Sequence, residues 1–415
     1  MRLALVIFFA FVAISAMPQR ATASPYLERR VTAISDATLL ARPAAQLVDP
    51  RRQRAGEHAR RFVRPLYFAW AFSQIAMLLY LWRSGTAARL RDAMRHRIGN
   101  IVALRVAFGA ALLVIANLAA FPASLARYRV DYIYGFTIET AAAWYRDGLI
   151  SVTLDAIVVG AIVACVFALV DRTRVWYLYA MAGLFVVTLV MAFVEPVVVA
   201  PLYNSFHPLP RGAALGERLE SLARRAGIGN APIYVTDDSR RTTAAIADIA
   251  GFGPTMRIVL SDALLANATP GEVLVLAARE FGHYVHGDDF RLSLFWTSLF
   301  IVSTALAVVL ADRVGFRRDD DPLARLPLVF FFLGLLALAA TPIYNGYSRH
   351  LEALADDYAL ALTSDRASAV RVYVRIADET LGQLCPSRLS RWYFYNNPPL
   401  GTRIARALGH ADPCE

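Results

Sequence analysis

Lysine is missing from this chain of 415 residues, and all 43 of its basic residues are arginine. Together with abundant alanine, that bias points to GC-rich coding and a bacterial source. Charge is also scarce. At 18% charged and 57% hydrophobic residues, the composition excludes an ordinary soluble protein. Cysteine is nearly absent. Cys165 falls inside an apolar run and reads as packing, whereas Cys385 and Cys414 fit either a bridge in an oxidising compartment or two free thiols. The chain has no internal repeat and no low-complexity tract. The net charge of +10 comes without an aromatic-basic stripe or a nucleic-acid module, so no nucleic-acid partner is expected. Its arginines instead flank apolar blocks (Arg51, Arg52, Arg54, Arg60, Arg61, Arg64; then Arg83, Arg89, Arg91, Arg95, Arg97), where anionic lipid head groups are the natural partner.

Apolar residues are present in membrane-length blocks. Spans are expected at 65–82, 101–121, 149–170, 175–199, 292–311 and 326–343. Residues 1–23 carry Arg2, an apolar run from Leu3 to Ala16 and Ala21-Thr22-Ala23, which fits a signal peptide or a first transmembrane helix. Residues 24–199 then form an N-terminal membrane domain, and 200–415 a second domain interrupted by the last two spans. Helical spacing runs over 214–226 and stops at Gly227. "APIYVTDD" and "MRIVLSDAL" alternate as short strands. A helix is expected from Pro270 to Tyr284, with Thr269 as N-cap and Glu272 at the capping-box position.

That helix contains Arg279-Glu280-Phe281-Gly282-His283, one residue away from the zinc-binding pattern His-Glu-x-x-His. In the full pattern two histidines at i and i+4 hold the metal, and the Glu activates its water. Glu280 and His283 are present, but Arg279 stands at the first ligand position with no lone pair to give. Further on, "NGYSRHLEALADDYAL" places Glu352 and Asp356 at i and i+4 on one helix face. They fit a third ligand and its supporting carboxylate. A rebuilt cage could instead use His286 with Asp288 or Asp289. Asp155 and Glu195, within apolar blocks, should avoid lipid and line either a water-filled chamber or an interhelical contact. His207 and His350 have no partner pattern and read as structural.

Several stretches in order resemble the CAAX prenyl protease family of membrane zinc endopeptidases. They are "GFTIETAAAWYRDGLI" at 135–150, "PLYNSFHPLPRGAALGERLESLARRAG" at 201–227, "GFGPTMRIVLSDALL", and "NNPPLGTRIARAL" at 396–408. The resemblance implies a mainly α fold: a polytopic helical membrane domain with a gluzincin-type α+β metallopeptidase domain. It also implies zinc, with His283 and Glu352 as residual ligands and Asp356 behind them. Departures cluster at the site. Arg279 replaces a ligand. Ala245-Ile246-Ala247 stands where the family's substrate edge strand reads Ser-Asn-Ala, and Ala244 where His is common. Asn397 replaces a His that would stabilise the oxyanion. Zinc is therefore expected to be absent or weakly held. The expectation is a catalytically impaired or inactive relative that binds membrane or peptide clients. The alternative is an active metalloendopeptidase with Glu280 as general base and an altered zinc shell. By the family's orientation, the site-bearing domain would face the cytoplasm from a bacterial inner membrane. The arginines of 17–64 favour that orientation, and those of loop 83–100 favour the reverse.

Overall fold

The computed structural model describes residues 33–210, 212–229, 231–242, 244, 246–251, 255–315 and 321–415. The segment 1–23 and Ala245 lie outside them. Two short helices open the described chain, α1 (Asp36–Leu40) and α2 (Ala44–Leu47), followed by α3 (Pro50–Arg83), α4 (Thr86–Arg95), α5 (Ile101–Tyr134) and α6 (Ala141–Arg172). Next, α7 (Trp176–Val194) runs through a π-helical turn, Glu195–Val199, into α8 (Ala200–Tyr203). The mixed domain contributes β1 (Phe206–Pro208), α9 (Ala214–Arg225), β2 (Ile233–Thr236), β3 (Ala247–Ala250), β4 (Arg257–Ser261), α10 (Asp262–Asn267) and α11 (Pro270–His286). Two long helices follow, α12 (Asp288–Gly315) and α13 (Pro322–Thr363), then α14 (Arg366–Glu379), α15 (Arg388–Phe394) and α16 (Leu400–Leu408).

Five helices (α3, α5, α6, α12 and α13) are long and apolar enough to cross a membrane. The pair Trp176–Met191 and Glu195–Tyr203, bent by 47°, makes a sixth if it is one span. The five long helices run beyond the blocks expected at 65–82, 101–121, 149–170, 292–311 and 326–343. The 42 residues of α13 extend about 63 Å at 1.5 Å per residue, twice a ~30 Å hydrocarbon core. The sixth span and the helix bearing Glu352 and Asp356 are thus one continuous rod. Small residues let neighbouring spans approach: a Cβ at Gly160 of α6 would lie 2.6 Å from the Val106 carbonyl oxygen of α5.

The sheet has the order β1-β2-β4-β3, with β2 and β4 parallel and both outer pairs antiparallel. The expected strands are β2 and β4, and β3 is an edge. Its core is shared with α11: Ile258, Leu260, Leu264, Val273, Ala277 and Phe281 are buried together. Leu39, Leu47 and Val48 join the same core, so α1 and α2 pack on the second domain rather than within the membrane domain expected from residue 24. Asp49 N–H donates to Asp378 Oδ1 at 3.0 Å and Arg52 Nε to the Asp378 carbonyl at 2.8 Å, which ties the start of α3 to α14.

At the start of α11, Thr269 and Glu272 form the expected capping box, closed by Gly287 at φ 65°. Glu272 has a second task, since it is buried and pairs with Arg375 of α14 at 3.3 Å. Glu272→Ala should therefore cost about 3–5 kcal/mol by stripping a buried cation of a partner. Thr269→Ala should cost about 1 kcal/mol, as for an N-cap alone. Unfolding midpoints in detergent check this, with the Glu272 variant the lower of the two by a wide margin.

Candidate active site

The site lies between α11 and α13, beside the β3 edge. Four residues apart on α11, Arg279 and His283 share one face, and Glu352 and Asp356 present the facing side of α13. The Arg279 guanidinium sits among the carboxylates. Its Nη1 meets Glu280 Oε1, its Nη2 meets Glu352 Oε2, and its Nε lies 3.4 Å from Asp356 Oδ1. Nη2 also donates to Asn397 Oδ1 at 3.3 Å. The sequence-derived set of Arg279, Glu280, His283, Glu352, Asp356 and Asn397 is thus brought together.

His283 faces two ways. Its Nε2 lies 3.8 Å from Glu352 Oε2, and its Nδ1 is 2.9 Å from Asp288 Oδ2. Asp288, itself buried, is set by the turn at Gly287 and orients the imidazole. Carboxylates do this behind metal-bound histidines elsewhere. Burial, and then the Arg279 cation, hold His283 below the usual histidine range against the pull of Asp288, which leaves the ring neutral near pH 7. Glu280 moves the other way. Burial pushes it from its ordinary 4.5 to about 7, with Asp248 adding to the rise and Arg279 opposing it.

The remaining expected residues fall in different places. His286 packs edge-to-face on Tyr358 with ring centroids 5.5 Å apart, so the alternative cage of His286 with Asp288 or Asp289 is not assembled. Ala247 opens the edge strand β3, and Ile246 immediately precedes it. The Ile246 N–H donates to Ser261 Oγ at 3.2 Å and its carbonyl accepts from Ser261 N at 2.9 Å, while its side chain is exposed. Asp155, on α6, is exposed, as are His207 on β1 and His350 on α13. Glu195 stands in the π-turn, close enough that its charge acts on Asp248.

Sequence reasoning missed Arg403, Tyr373 and Asp248, and gave Asp288 a different role. Asp356 is held by Arg403, through bonds of 2.7 and 2.8 Å, and accepts from the Tyr373 hydroxyl at 2.9 Å. Arg403 stands in the stretch 396–408, whose only signal was the family resemblance. Asp248, next to Ala247, reaches into the cleft. It keeps solvent contact, but the crowding around it, then the charges of Asp289 and Glu195, push its carboxyl up. Asp288 was weighed as a ligand and not as the partner of His283.

These residues do not fit a peptidase zinc. Three protein ligands are needed, and two ligands on one tetrahedral ion lie roughly 3.3 Å apart for bonds near 2.0 Å. His283 and Glu352 come near that bite at 3.8 Å, but the third position holds a guanidinium. Among the described residues, no three His, Cys, Asp or Glu side chains converge as a metal cage.

Residues 211–411 match the model of peptidase family M48, and residues 60–205 match that of the CAAX prenyl protease N-terminal region with five membrane helices. The chain is 28% identical over 332 residues to the metalloprotease YhfN of Bacillus subtilis, covering 78% of each. It is 26% identical to CAAX prenyl protease 1 of Saccharomyces cerevisiae, over 75% of this chain and 73% of that protein. The crystal structure of S. mikatae Ste24p superposes with a TM-score of 0.74 at 23% identity, covering 98% of both chains, so the fold is shared along the whole length. With two family models that together run from the membrane helices through the α11 and α13 site, the chain belongs to the CAAX prenyl protease branch of peptidase family M48 and is a multi-pass membrane protein of the metallopeptidase type.

Proposed function

We propose that this protein is a proteolytically silent member of its family that holds an extended segment of a membrane-protein client without cutting it. One observation carries the reading. The Arg279 guanidinium takes the third ligand position and touches Glu280, Glu352 and Asp356. A permanent cation there neutralises the carboxylates that a metal would otherwise neutralise, and it repels a dication. The β3 edge beside the cleft remains a template for an extended chain, with Ile246 offering apolar contact where an amide would have made a hydrogen bond. The client here is defined only by an extended backbone reaching the cleft. A working metalloendopeptidase is the second reading, and the retained His283–Asp288 pair with its 3.8 Å approach to Glu352 favours it.

The side of the membrane is also a proposal. Cys385 and Cys414 are bonded, with 5.0 Å between their Cα atoms, on the site-bearing side. The opposite side carries Arg83, Arg89, Arg91, Arg95, Arg97, Arg172, Arg174, Arg313 and Arg325 at helix ends, in the short helix α4 and in the turns between spans. An Arg91–Asp321 pair at 2.8 Å joins two of these segments. Short arginine-rich loops stay in the cytoplasm, and disulfides persist outside it. We therefore assign the site to the exported face of an inner membrane, the reverse of the orientation that family resemblance implies.

Three measurements test these readings. Elemental mass spectrometry of the full-length protein should find far less than one zinc per chain, and about one in Arg279→His, which restores the third ligand. One zinc in the parent would overturn silence and call for a protease assay against Glu280→Gln. Alkaline phosphatase fused after Glu415 should be active, with Cys385 and Cys414 alkylated only after reduction; an inactive fusion with reactive thiols would place the site inside. The third is pH dependence. Because Glu280 rises from 4.5 to about 7 on folding, the native state holds the extra proton between those values. Its stabilising contribution is full below pH 4.5 and is lost as pH climbs through 7. Glu280→Gln should flatten the melting temperature over that window, and an unchanged slope would mean that Arg279 keeps Glu280 ionised throughout.

A further inference from the structure

A second cavity, apart from the cleft, has a volume of about 500 Å³, in the range of small-ligand pockets. It lies between α3 (Leu66, Tyr67, Trp70), the end of α5 (Ser124, Arg127, Tyr128, Asp131) and the turn into α6 (Thr137, Glu139, Trp144). This is the level at which the spans leave their apolar stretch on the site-bearing side. Glu139 is 8% exposed, and its Oε1 is buried without a hydrogen-bond partner. The nearest cation, Arg241 Nε, stands 3.8 Å away and is engaged by Asp147, to which Arg241 Nη2 lies at 2.8 Å. A buried acceptor left open in this way is costly unless a donor arrives from outside the chain. Burial, then the neighbouring Asp147 charge, hold the Glu139 carboxyl above the usual range against the opposing Arg241 and Arg146 charges.

The walls suit an ammonium group. Tyr128 and Trp144 stack with ring centroids 4.9 Å apart, and Tyr67 and Trp70 face the same space. Aromatic faces attract a cation, and a carboxylate behind them accepts its N–H bonds. Arg127, also lining the cavity, binds Asp131 through Nε at 2.8 Å, which leaves its terminal nitrogens for an anion. An ammonium and a phosphate held a few ångströms apart form the headgroup of an ethanolamine phospholipid. Exposed Leu118, Phe121 and Leu149 lie along the adjoining turns, where an acyl chain would run.

We propose that this cavity binds the headgroup of a phosphatidylethanolamine, with Glu139, Tyr128 and Trp144 on the ammonium and Arg127 on the phosphate. The proposal does not depend on whether the cleft cuts peptides. Through Arg241, which bonds Asn204 and the Tyr203 carbonyl, the occupied cavity would brace the point where the chain enters the mixed domain.

Native mass spectrometry of the full-length protein from nanodiscs of equal phosphatidylethanolamine and phosphatidylglycerol tests it. The expected result is one retained phosphatidylethanolamine, with retention about tenfold weaker in Glu139→Gln, as for loss of one charged hydrogen bond. Trp70→Ala, at the half-exposed rim, should weaken retention too and serves if Glu139→Gln folds poorly. Displacement by free phosphoethanolamine supports the headgroup chemistry. Equal retention of both lipids, or undiminished retention in both variants, overturns the proposal. So does displacement by a lysine-containing peptide but not by phosphoethanolamine, which would make the cavity a client subsite.

Discussion

The contact on which the rest of the site depends is the Arg279 guanidinium among Glu280, Glu352 and Asp356. Three carboxylates and a half-buried histidine converge between two helices, with Asp248 facing them from the sheet edge. Two like charges 4 Å apart repel by about 4 kcal/mol at an effective dielectric of 20. Without a cation, α11 and α13 could not stay packed there with their carboxylates ionised. A metal would resolve the repulsion with two charges and directed bonds, whereas an arginine does so with one charge and a planar fork. The smaller charge has a consequence within the site: burial lifts Glu280 to about 7, and Arg279 offsets only part of that rise.

A second arginine completes the balance. Arg403 binds Asp356 through two nitrogens, so this carboxylate lies between cations from α11 and α16. Tyr373 adds a hydroxyl from α14. In this arrangement Asp356 gives little support to a ligand beside it, because its lone pairs are spent on Arg403 and Tyr373. The cleft is therefore more than a metal site with one ligand missing. Arg279 and Arg403 are paired with its carboxylates, Glu280 least completely.

The sequence displayed the membrane blocks, the capping box, the two central strands and the carboxylate pair on one helix face, because each is local and periodic. The overrunning helices were harder to see. Polar residues such as Arg60, Arg61 and Arg64 continue α3 beyond its apolar stretch, so hydropathy marks the membrane and not the helix. The docking of α1 and α2 on the second domain was not visible, since Leu39 and Leu47 carry no sign of which core they join. At the site, Arg279, Glu280, His283, Glu352, Asp356 and Asn397 could be picked out because helical spacing and family resemblance pointed to the same positions. Asp248 and Arg403 could not, because each acts across a gap of 30 or more residues through contacts that only tertiary packing creates.

The same packing links the disulfide to the cleft. Gly401 of α16 rests against the bridge: a Cβ there would fall 2.8 Å from Cys414 Sγ and 2.9 Å from Cys385 Sγ. Two residues on, Arg403 turns inward to Asp356, and four residues before Gly401 stands Asn397, which accepts from Arg279. The covalent bond thus lies against the first turn of a short helix, with Asn397 just before that turn and Arg403 within it both meeting the Arg279–Asp356 cluster. On an oxidising face of the membrane this brace persists, and the position of α16 does not have to be maintained by ion pairs alone. On a reducing face α16 would be held by the Arg403–Asp356 pair and its apolar side. Compartment and electrostatics are therefore coupled, and the arginine-filled cleft is best supported where the bridge can form.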